Sequence, residues 1–242
     1  MSSYEESGYL ELFIGPMFSG KTSKLIDIYK KLKLCNQNIL VINFNKDNRY
    51  SNFETHLSSH DEKQIPCKRT EFLKDIFDIN LSKDDHELDQ ILSSAKQSKN
   101  SSLIDSINSI INPFDPSFVK YILINEGQFF PDLTEWVTYM VNVLKKHIYI
   151  AGLDGDFNRK PIGQILEIIP QADKVTKLKS LCTICKNGKE AIFSYRKTND
   201  TNQVLIGSDN YLPLCRNCYN NKTNNKTDIH AYSTSEYGAE YF

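Results

Sequence analysis

The chain has 242 residues, 40% hydrophobic and 11% aromatic, with a net charge of −1. These values suit one large folded domain, or one with a small appendage, and exclude a disordered chain. They also exclude an overall basic field that would draw nucleic acid or an anionic membrane surface. No apolar run reaches the length of a membrane span, and the polar, acidic residues 1–9 are unlike a signal or transit peptide. A soluble cytoplasmic protein with no nucleic-acid or membrane partner is expected.

In chain order, residues 10–14 (LELFI) predict a strand that runs into a glycine turn. Residues 21–34 predict a helix, with Leu25, Ile28, Leu32 and Cys35 at helical spacing. Residues 38–44 (NILVINF) and 121–125 (YILIN) read as buried strands of a parallel sheet. Residues 131–146 predict a helix: Pro131 starts it, Leu133, Val137, Met140, Val141 and Leu144 share a face, and Lys145 and Lys146 end it. Residues 147–153 predict a further strand. Strands alternating with helices give the fold class, α/β with a parallel sheet. The polar stretch 78–117 reads as an insertion, partly helical around 86–95. Residues 220–242 read as a loose polar tail. The expected organisation is an α/β domain over 1–178, a small domain over 179–219, and the tail.

Between the first strand and helix, Gly15, Pro16, Met17, Phe18, Ser19, Gly20, Lys21 and Thr22 fit the phosphate-binding loop G-x-x-x-x-G-K-[ST]. Its glycines let the backbone curl so that successive N–H groups face phosphate oxygens. Lys21 would reach the β- and γ-phosphates of ATP, and the Thr22 hydroxyl Mg²⁺. At average residue usage a chain this long meets the pattern by chance on the order of once in a hundred. Phosphate-loop enzymes also place an acid at the end of a neighbouring apolar strand. Here that strand ends in N-E-G-Q-F-F, so Asn125 holds the acid's position and Glu126 follows it. A glutamate beside a γ-phosphate can take the proton of an attacking hydroxyl; the alternative is a strand-end acid that caps the turn before Pro131. Asn125 and Gln128 are grouped with the nucleotide-binding residues.

Six cysteines include two C-x₂-C pairs, Cys182/Cys185 and Cys215/Cys218. Two such knuckles make a tetrahedral four-thiolate site that suits structural Zn²⁺. An iron–sulfur cluster or four unrelated buried thiols are the alternatives. Between the pairs, residues 192–195 and 204–206 predict the two strands of a hairpin, joined by 197–203.

Five stretches together resemble one family, the thymidine kinases of animal cytosol, bacteria and large DNA viruses. They are GPMFSGKT at 15–22, FNKDNRY at 44–50, NEGQFFPD at 125–132, AGLDGDFNRKPIG at 151–163 and CRNCY at 215–219. The resemblance spans most of residues 8–219. It implies a phosphate-loop α/β domain followed by a small zinc domain whose lasso loop folds over a nucleoside. The implied reaction is phosphorylation of thymidine by ATP, and the implied assembly a homotetramer. Carried over residue by residue, Glu126 is the general base for the 5′-hydroxyl, and Asp47, Arg49 and Arg196 lie near the transferred phosphate. Met17, Phe129, Leu153 and Phe157 surround the thymine ring, Ser194 holds a position where threonine is common, and Tyr211 is the lasso tyrosine. Read alone, each apolar member of that set is more often a core residue than a pocket residue.

Two features depart from the family pattern. Asn125 stands where an aspartate is usual, which leaves the Mg²⁺ site one negative charge short. The 78–117 insertion is absent from typical members. Two other readings remain open on residues alone: a phosphate-loop enzyme that hydrolyses ATP, and a nucleotide-gated zinc-ribbon adaptor. For the adaptor the hairpin is thinly basic, with Lys186, Lys189, Arg196, Lys197 and Arg216.

Overall fold

The computed structural model describes residues 7–45, 56–58, 63–77, 118–205 and 207–224. Asp47, Arg49, the 78–117 insertion and the tail beyond 224 lie outside the described residues.

Among the described residues, six parallel strands form the main sheet: β1 (Tyr9–Ile14), β2 (Ile39–Phe44), β5 (Lys68–Thr70), β6 (Tyr121–Asn125), β7 (His147–Gly152) and β8 (Lys174–Lys177), in the order β5-β2-β6-β7-β1-β8. Their apolar runs are nearly unbroken because the central strands are covered on both faces. Alternate residues serve different layers. Leu10, Leu12, Ile42, Ile122, Ile124, Ile148 and Ile150 pack with Leu133, Trp136, Val137 and Met140 of helix α2 (Leu133–Asn142). Phe13, Val41, Leu123 and Ala151 pack with Leu25 and Ile26 of helix α1 (Lys21–Leu34). The two helices therefore lie on opposite faces, and the C-terminal ends of β1, β2, β6 and β7 form one rim, the usual ligand edge of an open parallel sheet. The short strands β3 (His56–Ser58) and β4 (Gln64–Pro66) pair antiparallel and add Leu57 and Ile65 to the core on the α1 side.

Beyond β8, a second cluster of buried residues gathers Cys182, Ala191, Tyr195, Leu214, Cys215, Cys218 and Tyr219. It is built on β9 (Ser180–Leu181) paired with β10 (Glu190–Ala191), on β11 (Phe193–Arg196) paired with β12 (Tyr211–Leu214), and on helix α3 (Arg216–Asn224).

Three expectations are corrected here. The helix expected over 131–146 spans only Leu133–Asn142. Its end is set by Lys145, whose left-handed φ of 53° turns the chain into β7, while Leu144 still packs on the same core. The hairpin partner of β11 is β12, with Arg196 opposite Tyr211, and not the segment 204–206. Val204 and Leu205 are apolar because they face a cavity rather than a neighbouring strand. Residues 220–224, expected as loose tail, complete α3.

Candidate active site and cysteine cluster

Residues 15–20 join β1 to α1 and fold tightly on themselves. Gly20, immediately before α1, has φ 81°, a left-handed value that a side chain would strain. Lys21 is buried, and its Nζ donates to Pro16 O at 2.6 Å and to Ser19 Oγ at 3.4 Å. The first turn of α1 holds no acid to compete with an anion for the helix N-terminus. From the far side, Ser194 Oγ on β11 accepts a hydrogen bond from Met17 N at 2.9 Å. That bond joins the phosphate loop to the cysteine-bearing segment.

At the neighbouring strand ends, Asn43 and Asn125 stand opposite one another in the β2–β6 pairing. Asn125 Nδ2 donates to Asn43 Oδ1 at 3.0 Å, which leaves Asn125 Oδ1 to accept from Thr22 Oγ1 at 3.2 Å. Two neutral oxygens, one hydroxyl and one amide, thus meet where a hard cation would want at least one carboxylate. They fit Mg²⁺ as ligands or as partners of its water shell.

Glu126 follows at φ 56° and ψ 42°, a left-handed conformation costing about 1 kcal/mol in a non-glycine residue. That turn lifts its carboxylate off the end of β6. Gln128 then fixes it: Gln128 Nε2 donates to Glu126 Oε2 at 2.6 Å, and Gln128 Oε1 accepts from Leu153 N at 2.9 Å. Gly163 packs against this bridge so closely that a Cβ there would lie 1.8 Å from Gln128 O.

These elements enclose a cavity of about 130 Å³. Met17, Glu126, Phe129, Leu153, Phe157, Ser194 and Tyr211, all nominated from sequence, line it. Phe44, Asp156, Ile162, Gln203, Val204 and Leu205 line it as well and were missed. Asp156 lies within the DGDF run quoted above and was legible there. The 203–205 segment was not, because an apolar pair between polar loops looks like a strand.

The loop between β11 and β12 is gathered onto Arg196, which is 2% exposed. Its Nη1 donates to the carbonyls of Asp200 (3.1 Å) and Asn202, and its Nη2 to Gln203 O (3.0 Å) and Tyr211 Oη (2.6 Å). All four Nη hydrogens are therefore committed. The guanidinium also lies over the Phe157 ring, 3.8 Å from its centroid. Tyr211 Oη in turn donates to Leu205 O at 3.1 Å.

The four paired cysteines converge, their Sγ atoms all within 4.8 Å of one another. Cys185 Sγ lies 3.7 Å from that of Cys215 and 3.3 Å from that of Cys218. A tetrahedral zinc with Zn–S bonds of about 2.3 Å would set its sulfurs roughly 3.8 Å apart, so the donor set fits that ion. Burial opposes the Cys182 thiolate, but backbone N–H groups of Cys185, Cys215 and Ile184 outweigh it and lower the thiol to about 6. The hydrogen bond to Cys185, with burial, pushes the Cys218 thiol up to about 12.

The family model for thymidine kinase matches residues 8–92 and 79–219. The chain belongs to the thymidine kinase family. A thymidine kinase of Myxoma virus (strain Uriarra) is 35% identical over 213 residues, covering 88% of this chain and 96% of that protein. Thymidine kinase 1 of Dictyostelium discoideum is 31% identical over 239 residues, covering 95% and 88%. The thymidine kinase of Vaccinia virus (strain Western Reserve) is 33% identical over 213 residues, covering 88% and 97%. Among the described residues no helix is long and apolar enough to cross a membrane.

Proposed function

We propose that this chain phosphorylates the 5′-hydroxyl of thymidine with the γ-phosphate of ATP. Family membership gives the reaction class. The observation that carries the reading is a tethered, buried carboxylate, Glu126, opening on the same cavity as Met17 of the phosphate loop.

In this reading the backbone N–H groups of 15–20 and the N-terminus of α1 receive the triphosphate. Lys21 leaves Pro16 O to meet it. A nucleoside in the cavity is flanked by Met17, Phe129, Leu153 and Phe157 and covered by the loop that carries Leu205 and Tyr211. Glu126 accepts the 5′-hydroxyl proton as the oxygen attacks the γ-phosphorus, and the Gln128 bridge keeps its carboxylate aimed throughout. Mg²⁺, held beside Thr22 and Asn125, would supply charge neutralisation between the β- and γ-phosphates. Asp47 and Arg49 are carried over from the family pattern as transition-state partners. The four Nη contacts of Arg196 support a part in ordering the covering loop rather than in touching phosphate.

Cys182, Cys185, Cys215 and Cys218 would hold one structural zinc, since four thiolates leave no open position for catalysis. The same reading divides the chain into a kinase domain over 1–178 and a zinc-bearing lasso domain over 179–219. It also carries over the family's homotetramer, a cytoplasmic setting, and small-molecule substrates only. A light-scattering mass of one chain at micromolar concentration would remove the tetramer.

ADP release tests the activity. Release that depends on added thymidine, with deoxyguanosine turned over far less, supports the kinase reading. ATP turnover indifferent to thymidine would make the protein a hydrolase, and no turnover would favour the adaptor.

A further inference from the structure

The covering loop has two attachments of different kinds. At its root, Arg196 holds it from within the cysteine-bearing segment. At its tip, one side chain reaches across to the α/β wall: Gln203 Nε2 donates to Asp156 Oδ2 and to Pro161 O, each at 3.2 Å. Asp156 is 8% exposed, and the turn that follows it fixes its orientation. Its Oδ1 accepts from Asn158 N and Lys160 N, both at 2.8 Å, so Oδ2 is turned toward the loop. Asp156 and Gln203 both line the cavity, one from the α/β part and one from the covering loop.

The two acceptors define the arrangement. With a carboxylate oxygen and a carbonyl oxygen converging on Gln203, only the –NH₂ end of its amide can face inward. With a donor at 156 at most one of the two bonds survives, because an amide turned to accept from residue 156 would face the Pro161 carbonyl, whereas an apolar side chain at 203 removes both.

We propose that Asp156 and Gln203 form a latch that sets nucleoside affinity by holding the loop closed over the cavity. They are positioning residues; neither needs to touch the reacting atoms. The proposal rests on the kinase reading for its kinetic consequence, but the contact itself can be tested without substrate. Gln203 is solvent-exposed, so the effect is that of one hydrogen bond, on the order of three- to tenfold in an equilibrium constant.

The experiment uses full-length protein with Gln203→Leu, Asp156→Asn and the double variant. Asp156→Asn keeps an oxygen for Asn158 N and Lys160 N and presents a donor to Gln203, so the turn is retained while the latch loses one of its two bonds. Amide hydrogen exchange over 197–207, measured without substrate, should quicken in each single variant and be no faster in the double than in Gln203→Leu. In turnover, the KM for thymidine should rise roughly three- to tenfold in each, with a smaller change in kcat and none in the KM for ATP. The double variant should match Gln203→Leu, because that change alone already removes both bonds. Unchanged exchange in both singles overturns the latch. So do additive effects on KM, which would mean that the two side chains contact the nucleoside independently. If wild-type protein does not phosphorylate thymidine, the kinase reading falls, and the exchange data alone decide the latch.

Discussion

The two walls of the cavity are built on different physical principles. The phosphate-loop wall stands on the ends of four sheet strands, and its polar groups are locked by short-range bonds such as Gln128 to Glu126 and Thr22 to Asn125. Behind it lie two large apolar layers. The facing wall is the loop between β11 and β12, described over 197–205 and 207–210. Behind it lie one small cluster of buried residues, three of the four paired cysteines among them, and the Arg196 guanidinium. Rate should therefore depend on the first wall and substrate affinity on the second.

The largest effect is expected at Glu126. Replacement by Gln keeps the shape and can still accept from Gln128 Nε2, but it cannot take a proton at neutral pH. kcat should fall at least about a hundredfold while nucleotide affinity holds, because a general base contributes in the transition state and not in ground-state binding. Near wild-type kcat in Glu126→Gln would remove this residue from the chemistry.

Next comes the cysteine cluster. Metal analysis of reduced protein should find one zinc per chain. Cys215→Ser, at a residue 2% exposed, should lose it. Thymidine KM should then rise well above the effect of the latch variants, with the far-UV signal of the α/β part largely kept. If Cys215→Ser lowers kcat as strongly as Glu126→Gln, the two walls are not separable.

Arg196→Met follows. It removes the contacts to Asp200 O, Asn202 O, Gln203 O and Tyr211 Oη, and the guanidinium over Phe157, but keeps an unbranched apolar stem. A roughly tenfold or larger rise in thymidine KM that exceeds the fall in kcat would mark a loop anchor, since hydrogen bonds from a charged group are the stronger kind. A kcat loss with unchanged KM would instead return Arg196 to the phosphate, as the family resemblance first implied.

The same division explains what the sequence disclosed. The phosphate-loop wall was readable because its elements announce themselves locally: GPMFSGKT sets its own turn, and apolar runs such as ILVINF have no other use than a buried strand. The cysteine pairs were readable from spacing. The covering loop was not. Val204 and Leu205 are apolar for a cavity that exists only once the loop is folded back, so local pattern pointed to a strand. Tyr211–Leu214 carries a proline opposite Ser194 and looked unlike the strand it is. Asn43 was passed over because one polar residue near the end of an apolar strand gains meaning only beside Asn125.

The smallest effect, and the sharpest probe of the rigid wall, is at Asn125. A carboxylate there would hold Mg²⁺ better, since Asn offers one neutral oxygen to a hard cation. The local geometry adds a condition. Asn125 is oriented by donating Nδ2 to Asn43 Oδ1 at 3.0 Å, and Asp at 125 would put two oxygens face to face unless the Asn43 amide turned over. Asn43 is 2% exposed, so that turn happens inside the protein, but it costs only the exchange of one amide end for the other. Once turned, Asn43 donates to the new carboxylate and holds it toward Thr22. Asn125→Asp should then lower the free Mg²⁺ needed for half-maximal rate at fixed ATP by roughly two- to fivefold, the modest gain expected of one added charge in a partly solvated site. Asn125→Asp with Asn43→Leu should lose that gain, because the carboxylate is left without its donor. An unchanged or higher Mg²⁺ requirement in Asn125→Asp alone would mean that position 125 does not limit metal binding. The neutral pair Asn43–Asn125 would then be an equal solution to the charged one, not a weakened form of it.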